Sequence, residues 1–314
     1  YREMLRWANE AADDARESTD RAALGHANFL LDLGYASTGA PERGSFARRA
    51  LEIFEQLDDY VGLSRSLNNL GISAWRSGDW NESLDLFDRS RRAYERSGDV
   101  VGAAMAANNA AEILSDQGRL DEAIAMLRDA LRVCRSARYP SGTAVVTANL
   151  GQAEARAGRC LEGLRLLDES MELLNKLGAA GYEVEAAAKK AEALVLAGRF
   201  GEALDRSRQL LIRIDASEED VLGAMLQRQR ALALIGTGDF DDALRTLDDS
   251  IARAEAAGAE YELARSLLVR ADNTRRRGGA SMLDDEQRGR ALLQRLGVVM
   301  VPDGRLTGPI TSRD

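Results

Sequence analysis

The sequence predicts an all-α chain folded as a solenoid of helical hairpins, and three observations carry the prediction. Gly78, Gly118, Gly158, Gly198 and Gly238 recur every 40 residues without a slip, a period in the range of stacked repeats. Only four prolines interrupt 314 residues, and an aromatic fraction of 5% is low for a β-sandwich. Alanine, leucine, glutamate and arginine dominate, and all are strong helix formers. A chain of 314 residues with no break in composition suits a stacked array better than one enlarged core.

The elements follow in order. Residues 1–18 carry Met4, Leu5, Ala8, Ala11, Ala12 and Ala15 on one helical face and read as the second helix of a repeat that has lost its first. The chain opens on Tyr1, as expected of a piece of a longer protein. A hairpin over 19–59 follows, with helices at Arg21–Ser37 and Phe46–Leu57 joined through Gly39, Pro41 and Gly44. Regular repeats are expected over 60–99, 100–139, 140–179, 180–219, 220–259 and 260–297, with a tail at 298–314 holding Pro302 and Pro309. A last helix is placed at Leu283–Leu296, and the tail should cover or trail from the end of the stack.

Within a repeat, Gly71, Ala111, Gly151, Ala191, Ala231 and Ala271 share one position of the first helix. Ser83, Ala123, Gly163, Ala203 and Ala243 share one of the second. Small residues there let paired helices approach closely. Trp80, Leu120, Cys160, Phe200 and Phe240 form an apolar column, as do Leu84, Ile124, Leu164, Leu204 and Leu244, and each hairpin must bury them against its neighbours. The Gly78 series falls where the first helix ends, because glycine tolerates the left-handed conformation of a helix C-terminus. Asp79, Asp121, Glu122, Glu202 and Asp241 follow near the start of the second helix, where acid complements the dipole. Second helices should end near Gly98, Gly178 and Gly258, with Pro140 doing related work in the repeat between.

These columns resemble the tetratricopeptide repeat in its long form of about 40 residues. The turns GDW (Gly78–Trp80) and GDF (Gly238–Phe240), each followed three positions later by a small residue, carry the likeness. It implies a right-handed α-α superhelix of about seven hairpins. RALEIFEQLDD (Arg49–Asp59), SLNNLGISAWRSGDW and LLQRLGVV (Leu292–Val299) further resemble the C-terminal repeat regions of large bacterial regulators. Those are class III cyclase-like proteins with a central ATPase module and related helix-turn-helix activators. The resemblance implies that any cyclase or ATPase chemistry sits upstream of this piece.

Composition excludes several functions. The net charge of −9, with both signs interspersed, lacks the concentrated basic face that nucleic acid requires. No apolar run reaches the roughly 18 residues of a membrane span, so no membrane partner is expected. Cys134 and Cys160 alone fit a reducing, cytoplasmic setting rather than a disulfide framework. No GxxxxGK[ST] loop is present, and His26, the only histidine, removes His-based metal clusters and most nucleophile-base pairs. His26 reads as solvated, Cys160 as core and Cys134 as structural. Asp248 and Asp249 are adjacent, so they do not face each other as an acid-base pair. Arg275, Arg276 and Arg277 form one basic run at a helix C-terminus, where they offset its dipole or offer a patch to an acidic partner. No catalytic residue, cofactor or metal is expected.

What remains is a polar ladder on the first helices. Asn69, Asn109 and Asn149 repeat at 40, and the column then changes to Lys189 and Gln229. The likeness to tetratricopeptide repeats implies that this column faces a concave groove. The preceding position gives Asn68, Asn108 and Arg228; three positions after the ladder come Ile72, Glu112, Gln152 and Glu192, with Arg65, Arg76 and Asp116 flanking. Amides offer both donor and acceptor, so the row suits an extended peptide backbone; it equally suits bonds between neighbouring helices. Repeat domains that clamp a C-terminal carboxylate add lysine or arginine where this chain has Asn68, Ile72, Val145 and Asn149, so that clamp is not expected. The reading is a protein- or peptide-binding arm of a larger cytoplasmic bacterial regulator. The rivals are a small-molecule sensor centred on Glu112, Gln152, Lys189 and Glu192, as in maltose-type activators, and a self-association module that would make a homo-oligomer.

Overall fold

A computed structural model describes residues 2–36, 43–215, 220–279 and 282–302. The connection through Gly39 and Pro41, and the tail beyond Pro302 with Pro309, lie outside the described residues. Fifteen helices are described, in the order α1 (Arg2–Glu17), α2 (Arg21–Ala36), α3 (Arg43–Gln56), α4 (Tyr60–Arg76), α5 (Trp80–Ser97), α6 (Val100–Asp116), α7 (Leu120–Ser136), α8 (Pro140–Arg156), α9 (Cys160–Lys176), α10 (Ala180–Leu196), α11 (Phe200–Asp215), α12 (Asp220–Thr237), α13 (Phe240–Ala256), α14 (Glu260–Arg276) and α15 (Leu283–Arg295). They fall into two compact units, Tyr1–Ala110 and Ala111–Asp314, each taken here by itself.

Helices end by one device every 20 residues rather than every 40. At Gly78, Gly98, Gly118, Gly158, Gly178, Gly198, Gly238, Gly258, Gly278 and Gly297 the backbone turns left-handed. The amide after each bonds back to a carbonyl five residues earlier, as Asp79 N does to Ala74 O at 2.9 Å and Ala179 N to Leu174 O at 3.0 Å. This is the Schellman closure of a helix C-terminus. Asp58 and Arg138 take the same conformation without being glycine, with φ of 52° and 51°. That corrects the role expected of Pro140. Arg138 makes the reversal, and Pro140 is the first residue of α8, where its missing N–H costs nothing.

The small-residue columns act as the spacing predicts. A Cβ on Gly151 of α8 would lie 2.9 Å from Gly163 O of α9, and one on Gly163 would lie 2.5 Å from Gly151 O. In the first unit the equivalent contact becomes a hydrogen bond, Ser83 Oγ donating to Gly71 O at 2.7 Å. The aromatic and aliphatic column is largely sequestered, with Trp80 and Leu120 buried and Cys160, Phe200 and Phe240 half-buried.

The two helices of a hairpin play different parts. Second helices such as α7 and α9 bury one stripe, Leu120, Ala123, Ile124, Leu127, Ala130, Leu131 and Cys134 in α7. First helices of the second unit are buried nearly all round; in α8 every residue from Val146 to Arg156 is buried. In that unit α10 packs on α8, α12 on α10 and α14 on α12, which leaves the first helices as an inner layer. Thr147, Asn149, Gln152, Glu154 and Arg156 of α8 are therefore enclosed although they are polar. Their bonds make the site.

Candidate binding site

Burial of a charged side chain is costly unless it is paired and hydrogen-bonded. The inner layer of the second unit meets that demand with a network spread over four first helices. Arg156 of α8, its side chain 2% exposed, donates to Asp116 Oδ1 at 2.6 Å and Ser115 Oγ at 3.1 Å on α6, and to Glu192 Oε2 at 3.1 Å on α10. Glu192 also accepts from Gln152 Nε2 at 2.6 Å and from Arg265 of α14 at 2.9 Å. Beside it Arg228 of α12 donates to Glu262 of α14 at 2.8 and 3.1 Å, and the Arg265 guanidinium lies 5.1 Å from the centre of the Tyr261 ring.

The electrostatics divide the two acids that share Arg156. Burial by itself would push the Glu192 carboxyl up, but Arg156, Arg265 and Arg228 outweigh it and hold the group well below the ordinary carboxylate range. Asp116 is paired with Arg156, and there burial wins and raises the carboxyl. Burial pushes the Tyr261 hydroxyl up as well. The same arginine thus serves one acid held as an anion and another whose carboxyl is shifted upward by burial.

One turn towards the N-termini of these helices lies a second cluster. Lys189 Nζ sits 2.8 Å from Glu112 Oε1 and also bonds Asn149 Oδ1, while Asn149 Nδ2 approaches Glu112 Oε2 at 3.5 Å. Asn149 and Lys189 form the polar edge of a shallow depression floored by Val145, Ala148 and Leu174, with Tyr182, 53% exposed, at its rim. Gln229 is fully buried, and among the described residues neither end of its amide has a hydrogen-bond partner. In the first unit the ladder is shorter: Asn109 Nδ2 donates to Asn68 Oδ1 at 3.1 Å, Asn108 to Asn109 at 3.3 Å, and Asn69 Nδ2 has no acceptor among the described residues. Ile72 is half-buried, and Arg65 and Arg76 are exposed.

Of the residues singled out by sequence, the structure brings together Asp116, Gln152 and Glu192 in one network and Glu112, Asn149 and Lys189 in the other. Sequence reasoning missed Arg156, Arg265, Tyr261 and Glu262. The signal for two of them was present: Arg156 continues the column of Arg76 and Asp116 by another 40, and Arg265 stands five periods after Arg65. Arg275, Arg276 and Arg277 each meet an acid, at Glu286, Asp272 and Asp241. His26 is exposed beside Phe54, and Cys134 is buried. Among the described residues there is no grouping of side chains suited to a metal ion, and no helix is long and apolar enough to cross a membrane.

Hairpins of this geometry stacked in register define an α-α repeat solenoid, a class of protein that works by presenting surface. A family profile described as tetratricopeptide repeat matches residues 45–96, 63–136 and 102–160. Residues 45–160 therefore carry tetratricopeptide repeats. No curated protein matches its sequence significantly. Solved structures share the fold. A Rap conjugation gene regulator of the plasmid pLS20, in complex with a Phr peptide, superposes with a TM-score of 0.68 at 14% identity, covering 90% of this chain and 77% of its own. A Rap protein complexed with competence and sporulation factor gives 0.64 at 13%, covering 88% and 74%. A signal transduction ATPase with numerous domains from Pyrococcus horikoshii, which carries a tetratricopeptide repeat sensor, gives 0.58 at 12%. This chain covers 94% of itself on that protein but only 44% of that protein's length.

Proposed function

We propose that the chain is the peptide- or protein-binding arm of a larger cytoplasmic bacterial regulator, and that a bound segment engages the second unit at the depression edged by Asn149 and Lys189. The observation that carries this is the combination found there. An apolar floor of Val145, Ala148 and Leu174 meets a half-exposed aromatic, Tyr182, and an amide and an ammonium already fixed in place by Glu112. An apolar side chain of a ligand would fill the floor while its backbone bonds Asn149, the arrangement by which grooves combine affinity with register. Asn68, Asn69 and Asn109 offer a separate amide surface in the first unit. That one structure of similar fold was solved with a peptide, and another with competence and sporulation factor, supports the reading for this class of scaffold.

The test is panning of a random peptide library against the whole chain, followed by fluorescence anisotropy of a recovered peptide. Asn149→Ala and Lys189→Glu should each weaken that peptide about tenfold, the loss of one good polar contact of about 1.4 kcal/mol. Unchanged affinity in folded variants would remove the site. If no peptide is recovered while a metabolite collection raises the melting temperature, the small-molecule reading replaces this one. A ligand that binds only the folded chain raises its stability by an amount that grows with the ratio of its concentration to its dissociation constant.

A further inference from the structure

Past the last helix the described residues pack back onto the second unit. Residues 296–302 return to the turn between α6 and α7, across a separation of 179 residues. Gln117, 3% exposed, holds them with both ends of the residue: its side-chain amide donates to Leu296 O at 2.9 Å, and its backbone carbonyl accepts from Val299 N at 2.8 Å. Val298 and Val301 turn inward and are 4% and 2% exposed, whereas Val299 faces solvent at 54%. The contact is made largely to main chain, with the small apolar side chains of Val298 and Val301 entering on one side.

Two features mark the turn as specialised. The position of Gln117 carries Ser77, Ala157, Ala197, Thr237 and Arg277 in the other regular repeats, so an amide stands there only where the segment docks. Gly118 is also set apart from its series. Its φ of +81° matches the +83° of Gly158, yet a Cβ there would meet Met300 O at 2.4 Å, while one on Gly158 or Gly198 would meet nothing within 4 Å. Here glycine is needed for the approach of a second backbone as well as for the turn. The preceding residues, Ser115 and Asp116, hold Arg156, so the docked segment adjoins the buried ion network.

We propose that the α6–α7 turn is a docking site for a peptide segment held by its main chain and by small apolar side chains three residues apart, and that the chain's own residues 298–302 occupy it as a built-in competitor. Bonding to main chain makes such a site tolerant of sequence, and the apolar positions select. A tethered segment acts at an effective concentration on the order of millimolar, so an external peptide must outcompete it or find it released. Occupancy by a partner would then be coupled to release of the C-terminal segment and to the positions of Asp116 and Arg156.

The probe is a fluorescein-labelled peptide LGVVMVP, the sequence of residues 296–302, read by anisotropy against three proteins: the intact chain, a chain ending at Gly297, and the full chain with Val298→Asp and Val301→Asp. Both altered proteins should bind it at least tenfold more tightly than the intact chain, and the full-length double variant decides if the shortened one does not fold. Gly118→Ala should abolish that gain and raise the hydrogen-exchange rate of the Val299 amide in the full chain, while Gly158→Ala, with the same backbone strain, should do neither. Equal binding to intact and altered chains, or binding to none, overturns the proposal, as does an unchanged Val299 amide in Gly118→Ala. None of these outcomes depends on Asn149 or Lys189, so the groove reading stands or falls separately.

Discussion

Glu192 is the residue on which the inner layer of the second unit turns, since it accepts from Gln152, Arg156 and Arg265 while almost wholly buried. Removing one partner of a buried pair leaves an uncompensated charge, at a cost of about 3–5 kcal/mol. Glu192→Gln should therefore lower stability by at least about 3 kcal/mol in urea unfolding. The pH dependence follows from its depressed carboxyl. The stabilisation is complete above the ordinary value of 4.5 and is lost as the pH falls towards the lower folded value. Unfolding measured between pH 6 and pH 3 should show wild type losing more stability than Glu192→Gln. Asp116 has the opposite sign. Its raised carboxyl means that the folded state binds the proton more tightly than the unfolded chain does, so acid in the window just above 3.8 favours folding through this group. Asp116→Asn should accordingly cost less than Glu192→Gln, and a larger loss would refute this account.

At the scale of the element, the hairpins depend on backbone conformation more than on side-chain propensity. Ten described turns use glycine in the left-handed region, and Arg138 does the same work at φ 51° with a Cβ in place. That conformation costs a non-glycine residue about 1–2 kcal/mol, part of which is returned by lower chain entropy in the unfolded state. Arg138→Gly should thus raise stability by about 0.5–1 kcal/mol in a denaturant titration; a loss would mean that the Arg138 side chain contributes more than its backbone costs. The turn glycines were legible because a 40-residue period exposes any position where only one residue type fits. The 20-residue period beneath it was legible only in part: Gly98, Gly178 and Gly258 mark it, while Asp58 and Arg138 break the glycine pattern and keep the geometry.

At the scale of the whole molecule, stability in a stacked array comes from neighbours, so it is distributed unevenly. In α8 every residue from Val146 to Arg156 is buried, whereas most of α1 is exposed, Trp7 at 59%. Native-state hydrogen exchange should find the slowest amides in α8 and the fastest helical amides in α1, and the reverse order would contradict this packing.

Sequence alone determined the repeat, the two-helix unit, the apolar columns and the small residues at Gly151 and Gly163, because each is a local pattern repeated at a fixed spacing. It also placed the polar ladder on the first helices. Only the tertiary structure decided what the ladder does. Arg265 and Glu192 stand 73 residues apart, and Gln117 and Leu296 stand 179 apart. Spacing along a chain carries no record of which rungs an array brings together when it curves, and pairing of buried charges is settled by that meeting. The same physical reason hid the returning segment: Leu296 to Pro302 reads as the end of a decaying pattern until the turn at Gln117 and Gly118 is seen to receive it.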